Sequence, residues 1–103
     1  MANYTVIAAN RVDSQLIQHI RFLAQVSISA ARRFRKEYAE ILDRLEENPY
    51  QFPWETDPNL PENLYRKALF ASWYKALFII ENNKVYLDAV VDCRQSVDAY
   101  HIF

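Results

Sequence analysis

Not one of the 103 residues is glycine. Loops that wrap a phosphate in backbone N–H groups, the dinucleotide-binding fingerprint and the nucleophile elbow all need glycine. They need it where the chain turns tightly or approaches a ligand closely. None of these devices can be built from this chain. If the protein grips an anion, side chains must do it.

The order of apolar positions sets the architecture. Residues 4–9 read as a short strand, moderately rich in β-branched and aromatic residues. Asp13 or Ser14 is placed to cap a first helix, whose apolar stripe is Leu16, Ile17, Ile20, Leu23 and Ala24. Ser27 or Ser29 caps a second helix with the stripe Ala31, Phe34, Tyr38, Ile41, Leu42 and Leu45. Asn48-Pro49 ends it, because proline cannot continue a helix. The short link between the helices predicts an antiparallel pair. Residues 48–63 contain all four prolines and three acids, with no Lys or Arg, and read as a long loop that is functional or mobile. Three β-rich runs follow, at 64–70, 73–80 and 84–92. They are separated by Ala71-Ser72 and by Glu81-Asn82-Asn83, where the asparagines suit the positive-φ positions of a tight hairpin.

The expectation is a single α+β domain over 1–103, in the order β-α-α-β-β-β. Two antiparallel helices pack on one face of a small, mainly antiparallel sheet. The sheet's other face is then free to be polar and functional. A net charge of −1 argues against coating nucleic acid by bulk charge, though a local basic site remains open. The lone Cys93 can form no internal disulfide, and no Cys/His cluster has metal-ligand spacing, so neither a metal nor a cofactor is expected. The N-terminus shows no signal-peptide pattern and no apolar run is long enough to span a membrane, which suggests a cytoplasmic location.

Strands that only fill a core do not carry cations near their middles without cause. Arg66 and Lys67 sit in the first of the three runs, Lys75 in the second and Arg94 just past the third. A period of two sets Asp88, Asp92 and Arg94 on one face, opposite Val85, Leu87, Ala89 and Val91. Two readings stay open at this point. One is a solvated face whose cations neutralise nearby Asp residues. The other is an anion site on which Arg and Lys converge, with Arg gripping bidentately. Arg32, Arg33, Arg35 and Lys36 form a basic run on the second helix, either a solvated face or a contact for a partner. Lys67, Asp92, Arg32 and Arg33 are the binding candidates. His19 reads as a partly exposed helix residue and Cys93 as a small buried one. Trp54 and Trp73 read as core or interface anchors, and Phe52 and Trp54 are expected to cover the sheet edge.

The runs Leu64-Tyr65-Arg66-Lys67-Ala68-Leu69-Phe70, Trp73-Tyr74-Lys75-Ala76-Leu77-Phe78-Ile79-Ile80 and Val85-Tyr86-Leu87-Asp88-Ala89-Val90-Val91-Asp92-Cys93-Arg94 resemble the strand block of the RelE/ParE superfamily. These are toxins of type II toxin–antitoxin systems, some of them known as plasmid stabilisation proteins. The opening strand, the helix pair and the variable loop after Pro49 fit the same layout. The resemblance implies a cognate antitoxin as partner, in a toxin–antitoxin hetero-oligomer. Through the RelE-like branch it also implies metal-independent cleavage of mRNA at the ribosome, with Arg66, Lys75, Arg94 and Tyr100 as catalytic residues and His101 as a further candidate. Cations preplaced on a phosphate stabilise the charge that builds when the 2′-hydroxyl attacks, and Tyr100 or His101 can stack on a base or move a proton. Ala68 stands where RelE-like enzymes often have a second lysine, and Asp92 where many ParE-like members carry His. The ParE-like branch implies a different outcome, inhibition of DNA gyrase by docking without catalysis. A degenerate toxin that only binds its antitoxin is the third reading.

Overall fold

The second helix shows most directly how these residues choose their structure. Ser27 stops helix α1 (Asn10–Val26) and starts α2 (Ile28–Glu47), its extended backbone forming the whole connection. Its Oγ accepts a hydrogen bond from the Ala30 N–H at 3.2 Å, satisfying one of the orphan donors of the first turn. Ala31, Phe34, Ile41 and Leu45 are buried along the expected stripe, with Tyr38 and Leu42 packed at its margins. Asn48 closes α2 and caps a 3-10 turn at Pro49–Gln51, its Oδ1 accepting from the Tyr50 N–H at 3.2 Å.

The computed structural model describes residues 3–94. Strand β1 (Thr5–Ala8) precedes the helices, and β2 (Arg66–Phe70), β3 (Tyr74–Glu81) and β4 (Lys84–Asp92) follow them. The sheet order is β1-β4-β3-β2, with β1 parallel to β4 and the other pairs antiparallel. This is the α+β, β-α-α-β-β-β architecture expected from the sequence. The helices pack on one sheet face around Phe34, whose ring lies 4.8 Å from that of Tyr74 and 5.1 Å from that of Phe70.

Three local expectations are corrected. Helix α1 starts at Asn10, a turn before Asp13, and its N-cap, Ala9, makes no side-chain capping bond. Val12 is fully buried, whereas Ile17 and Ala24 face outward. In the β3–β4 turn only Asn82 takes a positive φ, 57°.

The largest correction concerns β4. Leu77 pairs with Ala89 but Phe78 pairs with Leu87, so Asp88 is an extra residue in a β-bulge. The bulge moves every later side chain to the opposite face from that expected. Val85, Leu87 and Val90 face the helices, and Asp92, opposite Tyr74, shares that face. Ala89 and Val91 lie on the other side with Leu77. The strand therefore does not separate into one apolar and one charged face.

That second face is not bare either. Leu60 and Tyr65 cover Leu77, Ala89 and Val91 as a second apolar cluster, with Leu64 and Ile79 beside it. The segment is tied down by backbone bonds from Lys67 N–H to Pro53 O at 3.0 Å and from Glu55 N–H to Tyr65 O at 2.8 Å. The proline-rich loop is thus a strap across the sheet, extending it past the β2 edge.

Candidate functional site

Strand register decides where each cation points. Arg66 is paired with Phe78 and Ala68 with Ala76, so Arg66 belongs to the face that carries the helices. Its guanidinium lies 4.1 Å from the Trp54 ring centroid and 5.2 Å from that of Tyr50, and it donates to the Phe52 carbonyl at 2.7 Å. Cation–π contact on two rings fixes it in the rim of the strap.

Lys75 belongs to the opposite face, under the strap. Its ammonium is buried in an ion pair with Glu55, itself 4% exposed. Lys67 approaches the same carboxylate from β2 at 3.5 Å. Burial pushes the Glu55 carboxyl up, but Lys75 and then Lys67 outweigh it and hold the group below its ordinary range.

Arg94 lies in the turn after β4. It grips Asp92 bidentately, Nε to Oδ1 at 3.0 Å and Nη2 to Oδ2 at 2.8 Å, and its guanidinium sits 4.8 Å from the Trp73 ring. These bonds hold the Asp92 carboxyl below its usual range. Each of the three cations is engaged separately: Arg66 by aromatic rings, Lys75 by a buried carboxylate, Arg94 by its near neighbour. They do not converge on one face. Tyr100 and His101 lie outside the described residues.

Arg32 and Arg33 stand exposed on α2. Arg33 is committed to Glu37 and donates to Ser72 Oγ at 3.0 Å. His19 is partly buried as expected, its Nε2–H donating to the Val90 carbonyl at 2.8 Å. Cys93 is exposed, not buried, because it follows the end of the strand. Trp54 and Trp73 are surface residues, while Phe52 is buried against Phe78 with ring centroids 5.8 Å apart.

Several groups escaped the reading of the sequence. Glu55 was one acid among three in a loop, with nothing to mark it as the partner of a strand lysine. Tyr65 donates to Asp88 at 2.8 Å, and burial followed by that carboxylate pushes its phenol up to about 12. The β2–β3 turn carries Ala71 at φ 48° and Ser72 at φ 73°, both in the left-handed region that favours glycine. Glu37 secures that turn, its Oε1 accepting from the Ala71 N–H at 2.9 Å. Beside the turn, Leu23, Ala30, Arg33 and Trp73 line a cavity of about 400 Å³. Among the described residues no group of three or more His, Cys, Asp or Glu is placed to hold a metal. No described helix is long and apolar enough to cross a membrane.

No protein-family model matches the sequence, and no curated protein matches it. The fold does have a counterpart among solved structures. A chain of the chromosomal ParDE TA system from P. aeruginosa superposes with a TM-score of 0.65. The match covers 87% of this chain and 96% of that one, at 14% sequence identity. At that identity the likeness is one of fold: two helices on a four-stranded mixed sheet, the α+β fold of the ParE/RelE kind.

Proposed function

We propose that this chain is the toxin of a type II toxin–antitoxin pair and that it acts in the cytoplasm by docking on its target, without catalysis. The shared fold with a chain of a ParDE system supports the toxin reading and the existence of an antitoxin partner. The observation that favours docking over RNA cleavage is the separation of Arg66, Lys75 and Arg94. Stabilising a phosphorane-like transition state needs donors aimed at one developing charge. Here each cation already has a partner, on a different part of the sheet. Under the ParE-like reading the target is DNA gyrase, and the ribosome and its mRNA are not touched.

Induced expression with two readouts tests this. The expected result is growth arrest with loss of supercoiling or double-strand breaks while mRNA stays intact. Codon-phased mRNA cuts that disappear in Arg94→Ala would overturn docking in favour of the nuclease. Unimpaired growth at high soluble expression would overturn the toxin reading itself.

A further inference from the structure

The charges of helix α2 are arranged against the helix itself. Its cations Arg32, Arg33, Arg35 and Lys36 all precede residue 37, and five of the six charged residues from there to its end are acids. Glu46 and Glu47 stand in the last turn, where the helix dipole disfavours negative charge. Arg32 and Lys36 are like charges four residues apart, and so are Asp43 and Glu47, so each pair repels within the helix. Among the described residues none of these four forms an ion pair.

Their spacing is what gives the pattern meaning. Steps of four, seven and four residues return to nearly the same angle on a helix of 3.6 residues per turn. Arg32, Lys36, Asp43 and Glu47 therefore form one straight ridge, and all four are exposed. The ridge runs along the crest of α2, opposite the buried Ala31, Phe34, Ile41 and Leu45. Arg32 and Glu47 lie equally far from the midpoint between Ala39 and Glu40, as do Lys36 and Asp43. The sign of the charge inverts about that midpoint. A ridge of this kind is complementary to itself turned end for end.

We infer that the crest of α2 is an interface for a second copy of this chain, related by a two-fold axis beside Ala39. The two α2 helices lie antiparallel, with Arg32 against Glu47 and Lys36 against Asp43 of the other copy, and the same pairs repeated across the axis. The antiparallel dipoles attract as well. Ala39, exposed at the centre, is small enough to let the helices approach. Charge complementarity selects this occupant over others. An acidic peptide or a nucleic acid would satisfy Arg32 and Lys36 but face repulsion from Asp43 and Glu47. The contact is polar and one ridge wide, so the dimer is weak and salt-sensitive. This inference goes beyond the toxin reading and does not depend on it.

Sedimentation velocity of the full chain at low ionic strength, over a range of concentrations, tests it. The wild type should pass from one copy to two as concentration rises, and return to one in high salt. Arg32→Glu/Lys36→Glu makes the ridge wholly acidic, and Asp43→Lys/Glu47→Lys makes it wholly basic. Each variant alone should self-associate at least tenfold more weakly than the wild type. An equal mixture of the two should dimerise again, because every pair across the axis is then restored. Circular dichroism and melting of each variant should match the wild type or exceed it, since neither disturbs a contact within the fold. A wild type that stays monomeric throughout overturns the proposal, as do variants that dimerise like the wild type or a mixture that stays monomeric. Growth beyond two copies would mean head-to-tail contact and refutes the two-fold.

Discussion

Glu37 ties a strained turn to the main helix, and its removal can be followed quantitatively. An L-residue in the left-handed region costs about 1–2 kcal/mol, so Ala71 and Ser72 hold the β2–β3 turn against appreciable strain. Against this, Glu37 accepts from the Ala71 N–H at 2.9 Å and also engages Arg33, which in turn reaches Ser72. A hydrogen bond to an ionised group contributes about 1.5–3 kcal/mol net. The Glu37 side chain is 28% exposed, so the low end applies. Glu37→Ala is therefore expected to lose about 1.5 kcal/mol at pH 7, which for a domain near 100 residues lowers Tm by roughly 6–12 °C. Glu37→Gln keeps an acceptor oxygen without the charge and should lose about half as much. The pH dependence gives an internal check. The Ala71 N–H first, then Arg33, hold the Glu37 carboxyl below its ordinary value of 4.5. Its contribution is thus fully present above 4.5 and is lost as pH falls through the lower folded value. Urea unfolding should show the gap between wild type and Glu37→Ala closing in acid, and hydrogen exchange should show the Ala71 amide losing protection in the variant. A gap below about 0.5 kcal/mol at pH 7, or an equal gap at both pH extremes, would refute the reasoning.

Phe34→Ala, which empties the space between Phe70 and Tyr74, should cost about 3–5 kcal/mol in urea unfolding; a loss under about 1 kcal/mol would mean that Phe34 is not central to the core. The Tyr65 phenol should titrate near 12 by ultraviolet absorbance. Its stabilising effect should be complete below the ordinary value of 10, fall as pH rises toward 12 and be absent in Tyr65→Phe. Glu55→Gln removes a carboxylate shared by Lys67 and Lys75 and should cost about 3 kcal/mol, whereas Glu55→Leu/Lys75→Met should melt close to wild type; equal melting of the two variants would argue against a buried ionic contact here.

Helix α2 was legible almost to the residue, because Ser27, the six-residue stripe and Asn48-Pro49 are all local signals. The start of α1 was not, since Ala9 caps it through the backbone and leaves no mark in residue type. The bulge at Asp88 was hidden for a related reason. Strand faces are counted with a period of two, and no glycine or proline flags the extra residue. That one missed residue put Asp92 on the wrong face and left the whole strand looking like a clean alternation of charge and apolarity. The strap was hard to see because Leu60 lies among prolines with no period to connect it to a sheet, and because Leu64 and Tyr65 read as the start of a strand that begins only at Arg66. As for the candidate site, residue types alone made Arg66, Lys75 and Arg94 look like a set. Whether they meet depends on pairing register, which no local pattern encodes.

The parallel pairing of β1 with β4 has a consequence for the order in which the molecule can be made. Thr5 aligns with Lys84, so the first strand has no partner until nearly all of the chain has left the ribosome. Until then the helices can form, but Val12 and Phe34 lack the sheet that buries them. Late, long-range closure of this kind slows folding and prolongs the exposure of apolar surface.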